Sequence, residues 1–294
     1  MNGIIVIDKP TGWTSHDVVA KLRGALKIKR IGHGGTLDPM ATGVLPVFIG
    51  RATRAAEFNS NAEKEYIAGL RLGIVTDTQD ITGKVLSESD VSISPGDLIA
   101  TLLEFTGAIK QTPPMYSAIK QDGKKLYELA RQGIEVPRKA RDVYITSIEM
   151  SEMPEASVQS YQLRIVCSKG TYVRTLCHDI GAAIGCGGTL ASLRRIRSGV
   201  FSIDMAHSLD EVIATILSDS VNEILLPVDR IFYDYPSISI EETEVTKAKN
   251  GALCKTNEDT VDGKYRVYSS DGEFLLFGEV ANNRIITIKN FFEV

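Results

Sequence analysis

The sequence predicts an α+β protein: a mixed or antiparallel sheet with flanking helices, followed by a small, mostly β module. Three observations predict it. Residues 161–167 alternate, with Tyr161, Leu163, Ile165 and Cys167 on one face and Gln162, Arg164 and Val166 on the other, the pattern of a half-buried strand. Apolar stripes at helical spacing stand between strand-like runs, but without the regular strand–helix–strand units that build a parallel sheet. Beyond Pro236, short strand-like runs are separated by Asp271-Gly272 and Asn282-Asn283, both turn dipeptides.

Each element has its own local reason. Residues 3–7 are a short apolar run closed by Asp8-Lys9-Pro10, hence a buried strand. Ser15 is placed to cap a helix with Val18, Val19, Leu22, Ala25 and Leu26 on its apolar face. Residues 44–49 form a second apolar strand. Residues 66–72 alternate, with Tyr66, Ala68, Leu70 and Leu72 together. Residues 111–120 contain Pro113-Pro114 and are expected as extended loop. Leu126, Leu129 and Ala130 share one face of a short helix that ends at Gly133. Residues 143–150 add another strand. The stripe Leu176, Ile180, Ala183 and Ile184 marks a helix that stops at Gly185. Ser208 and Glu211 have the spacing of a capping box. Residues 229–236 read as a linker. A helix over 241–249, halted by Asn250-Gly251, precedes strands over 265–269, 273–280 and 284–289. The expected division is 1–232 and 233–294.

The chain has 294 residues, room for two units at ~150 residues per domain. A hydrophobic share of 43% with 24% charged residues excludes a disordered chain. Thirty-three basic against 37 acidic residues give a net charge of −4, which argues against a generally basic nucleic-acid binder. The distribution is uneven, however. Residues 18–37 carry five basic and no acidic side chains, residues 120–141 seven basic and three acidic, and residues 187–200 three arginines and no acid, whereas residues 201–235 carry one basic and seven acidic. Such basic islands read either as solvated faces or as contacts for a polyanion. Cys167, Cys177, Cys186 and Cys254 form no CxxC pair and have only four histidines beside them. That argues against a disulfide framework or structural zinc and for a reducing, cytoplasmic compartment. No apolar run approaches the ~18 residues of a membrane span, and residues 1–8 lack the features of a signal peptide.

The densest candidate for chemistry is residues 32–45, Gly32-His33-Gly34-Gly35-Thr36-Leu37-Asp38-Pro39-Met40-Ala41-Thr42-Gly43-Val44-Leu45. Four glycines and a proline in this stretch imply special backbone geometry. It is neither GxGxxG after a strand nor a P-loop. On spacing alone, Asp38 is either a turn residue before Pro39 or a carboxylate fixed for catalysis. Cys177 and His178 are adjacent on one helix and point to different faces, so they do not read as a catalytic pair.

This loop resembles the catalytic motif of the TruB family of tRNA pseudouridine synthases, and four further stretches resemble the family in order. They are Asp8-Lys9-Pro10-Thr11-Gly12-Trp13-Thr14-Ser15; Lys64-Glu65-Tyr66 with residues 73–80; residues 111–120, which resemble the start of an RNA-gripping insertion (about 108–142); and residues 167–176 with Leu193-Arg194-Arg195. The tail resembles the small RNA-binding module of PUA type. The resemblance implies a tRNA pseudouridine-55 synthase, an isomerase acting on the T-arm. It assigns Asp38 as nucleophile, Arg174 as the cation that keeps it ionised, and Tyr66 as the ring against the target base. It places Tyr172 and Leu193 at the base pocket and His33 where the extruded base has left. Lys9, Lys64 and Asp80 are expected beside the substrate, and Lys120, Lys124, Lys125 and Arg131 as phosphate ligands. Gly123 and Gly133 bracket that insertion's helix.

The chemistry breaks one glycosidic bond, turns the base and joins C5 to the sugar. It needs an ionised carboxylate, attacking either the base or the sugar, but no redox partner or group donor, so no cofactor or metal is expected. The resemblance implies tRNA as partner, no membrane, no obligatory protein partner and a monomer. Two alternatives remain: a guide-RNA-dependent relative acting on ribosomal RNA, and a tRNA-binding or folding factor without catalysis.

Overall fold

In the computed structural model, which describes residues 1–152, 160–250, 252–256 and 259–292, the two most apolar strands explain the layering. Gly3–Lys9 (β1) and Thr42–Ile49 (β2) run antiparallel. Ile5, Ile7, Leu45 and Val47 face one core, while Ile4, Val6, Val44 and Phe48 face another. An unbroken apolar sequence is what a strand covered on both sides requires.

Lys64–Leu72 (β3), Gly107–Gln111 (β4), Arg141–Glu152 (β5), Ser160–Cys167 (β6) and Gly188–Ser198 (β7) extend this pair into a ten-stranded sheet. The order is β1-β2-β7-β3-β6-β5-β4, with His207–Ser208 outside β1, Ile31–His33 on β2 and Phe201–Ser202 on β7. The β2–β7 and β1–His207 pairings are parallel and the others antiparallel. The sheet is therefore mixed, as expected. The expected alternation of β6 holds, with Tyr161, Leu163, Ile165 and Cys167 all buried.

The helices are Ser15–Leu26 (α1), Ala56–Asn61 (α2), Pro95–Glu104 (α3), Leu126–Ala130 (α4), Val173–Ile184 (α5) and Leu209–Leu217 (α6). Val18, Val19 and Leu22 of α1, Leu98 and Leu102 of α3, Leu176 and Ile180 of α5, and Leu209 and Val212 of α6 fill the first core. Two expectations need correction. Thr14, not Ser15, caps α1, in a reciprocal pair with Asp17; Ser15 is the first helical residue and is buried. On α5, Ala183 is exposed, and the buried face instead carries Cys177 and Gly181.

The tail contains Ser237–Ile240 (β8), Glu242–Lys249 (α7), Gly263–Ser269 (β9), Phe274–Ala281 (β10) and Arg284–Asn290 (β11). Its five-stranded sheet has the order β8-β9-β10-β11, then Cys254–Lys255, a small β module consistent with the PUA-like type. Asn282 and Asn283 both take left-handed backbone, φ 51° and 58°, as a tight two-residue hairpin turn requires. Gly251, expected to help end α7, lies outside the described residues.

The expected linker is corrected by Phe232. Val228–Phe232 is a 3-10 turn, and Phe232 is buried in the second core, stacked on Phe277 of β10 at 4.3 Å between ring centroids. Phe277 and Phe291 thereby share a core with Ile4, Val6 and Val44 of the large sheet. Among the described residues, no helix is long and apolar enough to cross a membrane.

Candidate active site

The loop that precedes β2 is held from several sides. Ser15 Oγ accepts from the Leu37 amide at 2.8 Å and donates to the Leu37 carbonyl at 3.3 Å. The Gly12 amide donates to the Pro39 carbonyl at 2.8 Å. Arg195, on β7 and 1% exposed, donates to the carbonyls of Val44 at 2.7 Å and Gly35 at 3.1 Å. One buried guanidinium thus ties both arms of the loop together. Gly43 permits this approach: with φ 99°, a Cβ there would lie 2.2 Å from the Arg195 carbonyl oxygen.

Asp38 stands at the tip of the loop with its side chain 36% exposed. Arg174, 4% exposed on the first turn of α5, grips it with two hydrogen bonds, Nε to Oδ2 at 2.9 Å and Nη2 to Oδ1 at 3.2 Å. Arg174 also donates to the carbonyls of Thr78 at 3.0 Å and Tyr116 at 2.8 Å. Paired hydrogen bonds of this kind fix orientation as well as charge. Asp80 is 3.7 Å from the same guanidinium. Its Oδ1 accepts from Thr78 Oγ1, the Thr82 amide and Thr82 Oγ1. Asp80 therefore orders the 76–82 turn and is buried beside Arg174.

Tyr66 and Leu193 lie on the paired central strands β3 and β7. Tyr66 on β3 is directly opposite Arg195 on β7, and Leu193 is opposite Ala68. Burial pushes the Tyr66 phenol up, while Arg195 pulls it down. Tyr172 precedes α5, and burial raises its phenol as well. Its backbone is clamped by the Gln111 side chain, which accepts from the Tyr172 amide at 3.0 Å and donates to its carbonyl at 3.3 Å. His33 ends the strand Ile31–His33 and meets His16 edge to face at 6.0 Å. Burial, His16 and Arg195 lower the His33 imidazole to about 4, so the ring is neutral at neutral pH. The structure thus brings Arg174, Tyr66 and Tyr172 within electrostatic reach of Asp38, while His33 is tied to His16 and Arg195 and Leu193 lies two residues from Arg195 on β7.

Lys9 and Lys64 are committed to backbone carbonyls. Lys9 is 0% exposed, and its ammonium donates to the carbonyls of Pro10 at 2.9 Å, Trp13 at 2.6 Å and Pro39 at 3.3 Å. Lys64 donates to the carbonyls of Asn59 at 3.0 Å, Ser60 at 2.7 Å and Ala62 at 2.5 Å. All three ammonium hydrogens are committed in each case. Burial lowers both groups to about 8, and each remains a cation at neutral pH. Both hold backbone, and Lys9 does so at Pro39, next to Asp38.

In the insertion, Lys120 and Lys124 are exposed on a two-stranded ribbon, and Arg131 is exposed after α4. Lys125 is half-buried against the Tyr127 ring at 5.4 Å. The basic island 187–200 is not a free surface. Strand alternation and a bulge between Arg195 and Arg197 send Arg194 to Asp8 at 2.7 Å, Arg195 into the loop, and Arg197 to Glu63 and Glu65, both at 2.9 Å. Burial pushes the Cys177 thiol up to about 12, consistent with a packing role.

Residues 23–173 match the family described as TruB family pseudouridylate synthase, N-terminal domain. Residues 174–233 match the tRNA pseudouridylate synthase B C-terminal domain. The chain belongs to the TruB family. Curated relatives called tRNA pseudouridine synthase B include one from Clostridium kluyveri, 43% identical with 95% of each chain covered. Another, from Syntrophomonas wolfei, is 44% identical over 96% of this chain and 94% of the relative. Among solved structures, a chain of a Cbf5–Nop10–Gar1 complex aligns at TM-score 0.74 and 26% identity, over 99% of this chain and 85% of that one.

Ser15, Gln111 and Arg195 were not singled out as site residues. Arg195 left only a partial signal: alternation separates Arg194 from Arg195, whereas a bulge between Arg195 and Arg197, which puts Arg197 opposite Glu65, has no mark in the sequence. Ser15 left none, because a serine before a helix reads as a cap.

Proposed function

We propose that this chain is a tRNA pseudouridine synthase that isomerises uridine 55 in the T-arm, with Asp38 as the nucleophile. The observation that carries the proposal is a partly exposed carboxylate held in paired hydrogen bonds by a buried Arg174. Such a carboxylate would lose its charge by desolvation beneath a bound base, and the adjacent guanidinium opposes this. The high identity to relatives called tRNA pseudouridine synthase B supports tRNA as the substrate. A guide-RNA-dependent role draws support from the fold likeness to the Cbf5 chain, at much lower identity.

In this reading the uridine is extruded from the folded arm at a cost of a few kcal/mol, with neutral His33 at the vacated position. Asp38 attacks the nucleoside as the N1–C1′ bond breaks. The base turns, C5 bonds to C1′, the bond to Asp38 breaks and returns its carboxylate, and the C5 proton leaves while N1 gains one. Tyr66 lies against the base and assists that proton transfer. Tyr172 and Leu193 bound the pocket. Atoms and charge balance without an added reactant. Lys120, Lys124 and Arg131 hold phosphates, which position the RNA and leave the reacting ring alone. Residues 1–232 form the catalytic unit and 233–294 the RNA-binding module, in a cytoplasmic monomer that needs no protein partner.

The test is incubation of the purified chain with a tRNA transcript in monovalent salt and chelator, followed by position-by-position mapping of pseudouridine. Conversion confined to position 55 is expected. Conversion only in ribosomal RNA, and only with an added guide, would favour the alternative.

A further inference from the structure

Three consecutive residues of α2 join two parts of the molecule that the proposed chemistry treats separately. Phe58 packs edge to face on Phe232 at 5.0 Å and on Phe277 of β10 at 5.8 Å. Glu57 pairs with Lys289 of β11 at 2.5 Å, and Arg54, just before α2, bonds to Asn290. Phe277, Lys289 and Asn290 belong to the C-terminal module. Asn59, the next residue, is 1% exposed and faces the opposite way. Its Nδ2 donates to the Gly34 carbonyl at 2.7 Å and to Ser198 Oγ at the end of β7 at 3.0 Å. Its own carbonyl takes a hydrogen from Lys64 at 3.0 Å, two residues before Tyr66.

Gly34 lies four residues before Asp38, and its geometry leaves little slack. A Cβ there would meet Asn59 Nδ2 at 2.6 Å and Phe48 at 2.8 Å. Asn59 also keeps Oδ1 buried with no partner among the described residues. An unpaired buried acceptor is a cost that an apolar residue of similar size would avoid. The two donated hydrogen bonds are the compensating gain, and both end on elements that carry the site.

We propose that Asn59 is a positioning residue and that α2 is the brace through which the C-terminal module holds the Asp38 loop in place. This rests on Asp38 as the reacting group. In consequence, the C-terminal module contributes to the chemical step as well as to any contact with RNA. Small displacements of a reacting group are expensive in rate, whereas binding spread over the RNA backbone is insensitive to them.

The test uses the full chain with Asn59→Asp, which keeps the shape but loses the donor, and Phe277→Leu, which loosens the far end of the brace. Two readouts are taken: amide hydrogen exchange of peptides covering residues 34–42, and the single-turnover rate at saturating tRNA beside tRNA affinity. Both variants are expected to speed exchange in 34–42 while leaving β5 and β6 unchanged. Both should slow the single-turnover step by about tenfold or more with affinity held within about twofold. Should Asn59→Asp not fold, Ser198→Ala removes one partner of the same amide and is read identically. Unchanged exchange at 34–42 in Phe277→Leu would overturn the brace. A faster-exchanging loop with a wild-type rate, or a loss confined to affinity, would overturn the positioning role. The exchange result stands even if the wild-type chain forms no pseudouridine, so failure of the activity reading remains separable.

Discussion

At the scale of single residues, the site is a set of buried cations, each committed to named oxygens. Arg174 serves Asp38, Thr78 and Tyr116 together. Arg174→Met strands all three, and the single-turnover rate is expected to fall by about a hundredfold or more. Arg174→Lys should recover little, because an ammonium cannot reproduce a planar fork; rapid-quench kinetics showing a near-normal Lys variant would contradict the assignment. His33 gives a pH test. Its imidazole is lowered from 6.5 to about 4 in the folded chain, so between those values the unfolded chain binds the extra proton. Stability is therefore unaffected by this group above about pH 6.5 and declines as pH falls toward 4, by on the order of 2–3 kcal/mol. His33→Gln removes that penalty. Thermal melts of the two proteins should show the variant gaining on the wild type between pH 7.5 and about pH 5, and a constant gap would count against a buried neutral ring.

At the scale of elements, what the sequence revealed depended on how unmixed each signal was. The apolar runs of β1 and β2, the alternation of β6 and the Ser208–Glu211 box that starts α6 were all legible. The central strand β7 was not. Its Arg194, Arg195 and Arg197 read as one basic surface, and only the strand pairing separates them into three different partners. The burial of Lys9 and Lys64 was not legible either: a lysine whose ammonium is consumed by backbone carbonyls is indistinguishable in sequence from an exposed one. The insertion is the element where exposed cations do remain. Replacing Lys120, Lys124 and Lys125 with Ala should weaken tRNA binding and flatten its salt dependence by roughly 0.7 to 0.9 in log–log slope for each phosphate no longer neutralised. Lys120 and Lys124 are exposed and Lys125 rests on Tyr127, so most of the change should come from the first two. Filter binding across salt concentrations measures it. An unchanged slope with a collapsed single-turnover rate would move these lysines out of the phosphate-binding role.

At the scale of the whole molecule, the expected linker is the joint that makes two sheets share a core. Phe232 touches Phe58, Phe274, Phe277 and Phe291. Phe232→Ala should cost about 3–5 kcal/mol, visible as a single lowered urea midpoint for both units. Two separated transitions with an unshifted first midpoint would mean that the units do not depend on this contact. The account as a whole turns on one carboxylate acting on a folded RNA. The most direct measurement compares the wild-type chain with Asp38→Asn on the same tRNA transcript, mapping pseudouridine at every position and measuring affinity in parallel. The account predicts pseudouridine at position 55 with the wild type, none with Asp38→Asn, and affinity within a few-fold, because the carboxylate serves chemistry more than binding. Near-normal conversion by Asp38→Asn would contradict it.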